Sequence, residues 1–127
     1  MPKTHATQRT LKELRKQGWS CHIVEKYIKH PGMPFGRRID AFGIGDILCM
    51  RPPCANGDIH SEAAIALVQC FPNTSGTGFA DHREKILAIP ETKIWLRAGG
   101  KIFLYGWKLK KKTGRWEWKR EEVIFGA

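Results

Sequence analysis

The chain has 127 residues, which fits one domain with its own core, and 42% of its residues are hydrophobic, as in ordinary globular proteins. The 22 basic residues outnumber the 12 acidic ones and give a formal net charge of +10. That charge favours nucleic acid as a partner over an anionic membrane surface or an incidental surface charge. No stretch approaches the roughly 18 apolar residues of a membrane-spanning helix, so we expect no such helix.

The first elements of the chain are a helix and a strand. Leu11 and Leu14 stand at helical spacing and Gly18 suits a helix C-terminus, which predicts a basic helix over residues 4–17. Residues 19–28, WSCHIVEKYI, are rich in β-branched and aromatic side chains and predict a strand. We expect no secretory signal, because the polar, basic N-terminal segment contains no apolar run.

The middle of the chain predicts strands separated by turns. The prolines and glycines of residues 29–38 predict a loop, and residues 39–50, IDAFGIGDILCM, predict a bent strand pair or a loop feeding a strand. Residues 51–63 contain Pro-Pro and Asn-Gly and predict a hairpin connection. Residues 63–71, AAIALVQCF, form a continuous apolar run that is typical of a central strand buried on both faces.

The last part of the chain alternates between helices and strands. A loop over residues 72–79 is followed by two predicted helices, over residues 80–89 and 90–100. A strand over 101–109, a basic turn over 110–114 and an alternating strand over 115–125 complete the chain. With no repeats and no linker, the order predicts one α/β domain over residues 1–127. We expect a single mixed sheet of about five strands flanked by helices.

Two aspartates stand out within residues 37–50, RRIDAFGIGDILCM. A buried acid is costly unless it is paired or binds a metal. Asp40 and Asp46 therefore indicate either a solvent-exposed turn or a metal site. Along an extended strand they would lie about 20 Å apart, too far for one ion. Gly43 and Gly45 permit a sharp bend, and a shared metal requires one.

Other polar residues leave alternatives open. Gln69 interrupts the apolar run, either as a satisfied buried amide or as a neutral oxygen ligand. Glu25 is either a solvent-facing strand residue or a supporting carboxylate. His82 and Lys85 share one side of a helix, which is either solvated or turned toward a scissile phosphate.

Basic residues in two segments of the chain predict contacts to a nucleic-acid backbone that read no sequence. The candidate nucleic-acid-binding residues are Arg37, Arg38, Lys108, Lys110, Lys111, Lys112 and Arg115. Trp116 and Trp118 share one strand face, and we expect them in the core rather than as platforms for bases. The basic residues of the first helix either flank DNA or are merely solvated.

The four cysteines show no CxxC pair and no zinc-finger spacing. Cys21, Cys49 and Cys70 lie in apolar runs, and we expect them to act as small buried hydrophobes. This usage predicts a reducing, intracellular location in the cytoplasm.

The motifs fall into a recognisable order. A D-x-F-G-x-x-D segment at residues 40–46 precedes V-Q-C at 68–70 and H-x-x-K-I at 82–86, and W-L-x-x-G-G-K-x-x-x-x-G-W follows at 95–107. This order resembles the PD-(D/E)xK nuclease superfamily, in particular small phage and bacterial members related to Holliday junction resolvases. The likeness runs from about Glu25 to the final strand.

The resemblance implies a restriction-endonuclease-like core and a Mg²⁺- or Mn²⁺-dependent DNA endonuclease, with branched DNA as a candidate substrate. Asp46 matches the first aspartate of the motif, while Gln69 replaces the motif acid and Phe71 replaces the motif lysine. Lys85 is placed to supply the missing lysine from the following helix, and Asp40 can restore the missing charge if the bend brings it close.

The resemblance therefore implies a catalytic set and leaves alternatives. The catalytic candidates are Asp46, Gln69, Lys85, Asp40 and Glu25, of which Asp46, Asp40 and Gln69 would bind the metal. The main alternative is a catalytically degenerate nucleic-acid-binding module on the same fold, and a third is a structural or toxin–antitoxin-type interaction protein whose charge is incidental. We expect DNA as partner, no membrane, and a possible homodimer, since symmetric cleavage of a junction needs two matched sites.

Overall fold

The computed structural model describes residues 5–32, 34–73 and 78–125. The helices in these ranges are α1 His5–Lys16, α2 Phe79–Leu87 and α3 Pro90–Arg97, with a short 3-10 helix at Ala55–Gly57. The strands are β1 Ser20–Ile23, β2 Lys26–Ile28, β3 Arg37–Ile39, β4 Ile47–Arg51, β5 Ala64–Pro72, β6 Lys101–Lys110 and β7 Arg115–Glu122.

Five of these strands form one mixed sheet in the order β1-β4-β5-β6-β7. Strands β5 and β6 are parallel and are joined through α2 and α3, while the other neighbouring pairs are antiparallel. Helix α1 packs on one face of the sheet, and α2 and α3 pack on the other. The prediction of an α/β fold with a single mixed sheet of five strands flanked by helices is confirmed, whereas a restriction-endonuclease-like core stays a prediction.

Strand β5 lies at the centre of the sheet and is apolar because both of its faces are covered. Its residues Ala66, Val68 and Cys70 belong to the cluster under α1, and Leu67 and Phe71 belong to the cluster under α2 and α3. Since side chains alternate along a strand, a strand covered on both sides needs a continuous apolar run. The central position predicted for residues 63–71 is confirmed.

Helix α1 is placed by one apolar stripe and by a polar contact. Leu11 and Leu14 are buried against the sheet, and the chain leaves the helix through Gly18 at φ +92°, a left-handed conformation that favours glycine. The indole Nε1 of Trp107 donates a hydrogen bond to Thr10 Oγ1 over 2.8 Å, which ties α1 to β6. The predicted helix over residues 4–17 is confirmed within the described residues.

The strand predicted over residues 19–28 is divided in two. β1 pairs with β4 inside the sheet, whereas β2 pairs with β3 in a separate two-stranded ribbon. The loop predicted over residues 29–38 therefore contributes part of β3. Composition shows that this segment favours extended backbone, but the change of partner at Val24 and Glu25 depends on distant segments of the chain.

The core position expected for Trp116 and Trp118 is wrong. Their side chains are 42% and 36% exposed, on the side of β7 that faces α1. Alternation along the strand correctly assigns both to one face. Whether that face is covered depends on the reach of α1, and α1 covers it only in part.

Candidate active site

The segment that carries the two aspartates turns sharply. The Ile44 amide donates to the Ala41 carbonyl over 2.8 Å, and the Ala41 amide donates to the Gly45 carbonyl over 3.0 Å. Phe42 and Gly43 both have positive φ, +57° and +75°, as the two central residues of a type I′ turn require. The chain therefore reverses, and the bend that a shared site required is present.

The reversal brings Asp40 and Asp46 to the two sides of one turn. Ala41 and Gly45 form an antiparallel bridge, so the residues just outside them leave the turn side by side. The separation of about 20 Å expected for an extended strand does not apply.

Glu25 and Asp40 meet where the two-stranded ribbon joins the sheet. The ribbon pairs Lys26 with Ile39, and Glu25 and Asp40 are the next residues outward on each strand. Burial raises the pKa of Asp40, backbone hydrogen bonds at Asp40 and Gly43 lower it, and the negative charge of Glu25 raises it further. The two carboxyl groups are thus electrostatically coupled.

Asp46 is 7% exposed and is held on both sides by backbone. Its carbonyl accepts a hydrogen bond from the Val24 amide, and its amide donates to the Val68 carbonyl, both over 2.9 Å. Val68 is the residue that the strand register already pairs with Ile47, so two residues of one chain face one of the other, as in a β-bulge. Bulges redirect a side chain, and here the Asp46 carboxylate accepts a hydrogen bond from the Cys70 amide of β5.

Asp46 bonds through its backbone amide and its carboxylate to the two residues that flank Gln69. The Cys70 amide donates to Asp46 Oδ2 over 3.3 Å, while the Asp46 amide binds the Val68 carbonyl, so Asp46 bonds to the residues on either side of Gln69. Gln69 is partly buried on the face of the sheet that carries α2 and α3. Its side-chain amide makes no hydrogen bond to any part of the chain that the structure describes.

Helix α2 has one flank that faces β7 and another that faces away from it. On the first flank Arg83 forms an ion pair with Glu121 of edge strand β7. Lys85 follows by two residues, about 200° around the helix, and so lies on the flank away from β7. Just beyond α2, Ile89 lies beside the turn, since a Cβ added at Gly43 would lie 3.3 Å from Ile89 Cδ1.

His82 lies on the same flank as Lys85. Its ring stacks on Phe71 with the centroids 4.1 Å apart, and Phe71 stands where the motif lysine is expected. Burial lowers the pKa of His82, and the positive charge of Lys85 lowers it further. Lys85 itself is exposed.

The predicted basic residues divide into two groups. Five of them lie exposed on the β6–β7 hairpin, namely Lys108, Lys110, Lys111, Lys112 and Arg115. Lys110 forms an ion pair with Glu117 over 2.8 Å. The hairpin projects beyond the carboxyl end of β6, the end of the sheet at which β4 begins. The backbone of Arg37 and Arg38 forms part of β3, and their side chains lie outside what the structure describes.

The predicted metal ligands are two carboxylates and an amide, and Glu25 adds a further carboxylate beside Asp40. Mg²⁺ takes hard oxygen ligands and retains several waters, so Asp46, Asp40 and Gln69 suit it in chemical type. Within residues 5–32, 34–73 and 78–125, no three His, Cys, Asp or Glu side chains gather as a group that could hold a metal ion. The candidate ligand set thus depends on the Gln69 amide oxygen.

Comparisons of the chain with protein-family models, curated proteins and solved structures found no match. The likeness to the PD-(D/E)xK superfamily therefore rests on the motif residues and stays a prediction. None of the helices in the described ranges is long and apolar enough to cross a membrane.

One partner in the site has no signal in the sequence. The Cys70 amide orients Asp46, but a backbone donor is independent of residue type, so no motif reveals it. The D-x-F-G-x-x-D spacing locates the acids and the glycine of the turn, and the bulge that aims Asp46 follows only from the pairing of β4 with β5.

Proposed function

We propose that the chain is a metal-dependent DNA endonuclease that hydrolyses phosphodiester bonds, with branched DNA as a candidate substrate. The observation that carries the proposal is the Asp46 carboxylate, buried and bonded to the Cys70 amide beside Gln69. An acid at the start of one strand beside a polar residue on the next strand is the arrangement that the nuclease resemblance implies. The formal charge of +10 supports DNA as the partner.

Each candidate residue has a role in this chemistry. Asp46 and Asp40 supply negative oxygens, and the Gln69 amide oxygen adds a neutral ligand beside them. When bound, Mg²⁺ would lower the pKa of a coordinated water and neutralise charge on the phosphate. Lys85, on the flank of α2 turned away from β7, would stabilise the developing negative charge, and Glu25 would support Asp40.

The DNA path follows from the position of the basic hairpin. The lysines of the β6–β7 turn lie at the end of the sheet where β4 begins, so a backbone bound there would pass near Asp46. Contacts of this kind neutralise phosphates without reading bases, and each one makes binding more sensitive to salt.

The test is cleavage of supercoiled plasmid and of a four-way junction in Mg²⁺ or Mn²⁺. Wild-type protein should cut, and Asp46→Ala should not. Asp58→Asn is the matched control, because Asp58 is an exposed aspartate outside the site, and it should retain wild-type activity. Equal cutting by wild type and Asp46→Ala would rule out the site.

A second candidate function is a DNA-binding module without catalysis. The observation that favours it is Phe71, which occupies the position of the motif lysine and is enclosed by the rings of Phe79 and His82. A phenyl ring can neither orient water nor stabilise a phosphate. Salt-sensitive binding of DNA with no cleavage in any divalent ion would favour this function.

A further inference from the structure

Two tryptophans of β7 lie exposed in a groove between α1 and the end of the sheet. The groove has a volume of about 350 Å³. Its walls are three tryptophans of β6 and β7 together with three basic residues and one acid of α1, namely Trp107, Trp116, Trp118, Arg9, Lys12, Lys16 and Glu13. Large exposed aromatic rings beside cations are the elements with which proteins bind single-stranded nucleic acid.

The contacts within the groove hold the rings in place and leave them accessible. The Arg9 guanidinium lies over the Trp116 ring at 3.7 Å, and the ring remains 42% exposed. Trp118 Nε1 donates to Glu13 Oε1 over 2.8 Å, and the ring remains 36% exposed. Rings fixed in this way lose little conformational entropy when a base stacks on them.

The charge of the groove is complementary to a phosphate chain. Lys12 and Lys16 are exposed and form no ion pair within the described residues. Glu13 is the single acid among the described lining residues, and its carboxylate accepts the Trp118 hydrogen bond. A protein partner with an apolar docking segment would leave these cations unmatched.

The groove continues along the α1 face of the sheet toward the end of β5. A second hollow of about 450 Å³ shares Arg9, Trp107 and Trp116 with it and reaches Cys70 at the end of β5. The backbone amide of Cys70 is the one that binds the Asp46 carboxylate. A strand lying along the two hollows would thus run from β7 to the end of β5, on the face of the sheet that carries α1.

We propose that this groove binds an unpaired DNA strand, with bases stacked on Trp116 and Trp118 and phosphates paired with Arg9, Lys12 and Lys16. The inference deepens the proposed function and rests on it for the identity of the substrate, which becomes DNA with a single-stranded arm. Binding itself requires neither a metal nor an intact Asp46.

The test measures binding in EDTA, where no metal-dependent cleavage occurs. Fluorescence anisotropy would compare a labelled oligothymidylate of about 20 nucleotides, a duplex of the same length and an abasic strand of the same length. The wild type should prefer the thymidylate to the abasic strand. Trp116→Ala should weaken thymidylate binding about tenfold, as expected for the loss of one stacked base, and duplex binding less than about twofold.

Two further variants control for folding and for surface aromatics. Trp116→Phe keeps a ring and should restore most of the thymidylate affinity. Phe125→Ala removes an exposed ring outside the groove, 44% exposed, and should bind like the wild type. Circular dichroism melting would confirm that each variant is folded.

Three outcomes would overturn the groove assignment: equal affinity of the wild type for thymidylate and abasic strands, equal losses on thymidylate and duplex in Trp116→Ala, or no loss at all. Absence of plasmid cleavage with thymidylate binding intact would remove the endonuclease proposal and leave the groove assignment standing. The two proposals therefore fail separately.

Discussion

The backbone amide of Cys70 donates a hydrogen bond to Oδ2 of Asp46 over 3.3 Å and so ties the carboxylate at the start of β4 to strand β5. This bond satisfies a donor that the β4–β5 ladder leaves unpaired at the bulge. It gives Asp46 a structural role besides the proposed catalytic one, and substitutions can separate the two roles.

Asp46→Asn should abolish cleavage and leave the fold nearly unchanged. The asparagine oxygen still accepts the Cys70 hydrogen bond, whereas Asp46→Ala leaves that amide without its acceptor and should reduce the free energy of unfolding by about 1–3 kcal/mol. Urea denaturation of the three proteins would measure this difference. Equal destabilisation by both substitutions would contradict the role given to the hydrogen bond.

Gly45→Ala should disturb the site through the backbone. An added Cβ would lie 3.0 Å from the Val68 backbone nitrogen and 3.1 Å from its carbonyl oxygen, in a central strand that cannot move aside. We expect a loss of about 1–3 kcal/mol in the free energy of unfolding, together with reduced cleavage because Asp46 is displaced. Gly78→Ala is the matched control, since its nearest neighbouring atom would lie 3.9 Å away, and its melting temperature should stay close to that of the wild type.

Lys85→Ala should lower the cleavage rate with little effect on DNA affinity. A lysine that stabilises charge mainly in the transition state changes the rate, and about a hundredfold loss is expected for one such group. Lys93→Ala removes an exposed lysine of α3 and serves as the control. Single-turnover kinetics would test this, and unchanged cleavage by Lys85→Ala would end the idea that the motif lysine has moved to α2.

The stability of the protein should fall as the pH drops below the ordinary pKa of histidine, in part because of His82. Burial and then Lys85 lower the pKa of His82 in the folded state below the value of 6.5. The unfolded chain therefore binds more protons in acid, and stability is lost as the pH falls from about 6.5 toward the folded-state pKa. His82→Phe keeps a ring against Phe71, and its melting temperature should fall less than that of the wild type when the pH is lowered from about 7.5 to about 5.5. The same loss in both proteins would contradict this assignment.

The sequence predicted the fold best where local signals agree with the tertiary structure. The apolar run at residues 63–71 indicates a strand covered on both faces, and Gly18 marks the end of α1. The change of partner between β1 and β2 was missed because pairing is decided by distant segments. The exposure of Trp116 was missed because it depends on how far α1 extends over the sheet.

The residues of the candidate site stay a prediction, and their arrangement could not be read from the sequence. The spacing of Asp40, Gly43 and Asp46 indicates a bend, and the structure places that bend at Phe42 and Gly43. The bulge at Asp46 and the Cys70 amide that holds its carboxylate are backbone features, and composition does not report them. The flank of α2 on which Lys85 lies follows from the ion pair between Arg83 and Glu121, and the sequence does not reveal that pair.

The central claim is that Asp46 and Gln69 hold one metal ion together. Isothermal titration of Mn²⁺ into wild type, Asp46→Asn and Gln69→Glu tests it directly, and a parallel Mg²⁺ titration of plasmid cleavage provides the functional readout. A third carboxylate beside Asp46 and Asp40 should tighten metal binding about tenfold in Gln69→Glu and lower the half-saturating Mg²⁺ concentration, and Asp46→Asn should bind no metal at this site. Unchanged Mn²⁺ affinity in both variants would contradict the claim.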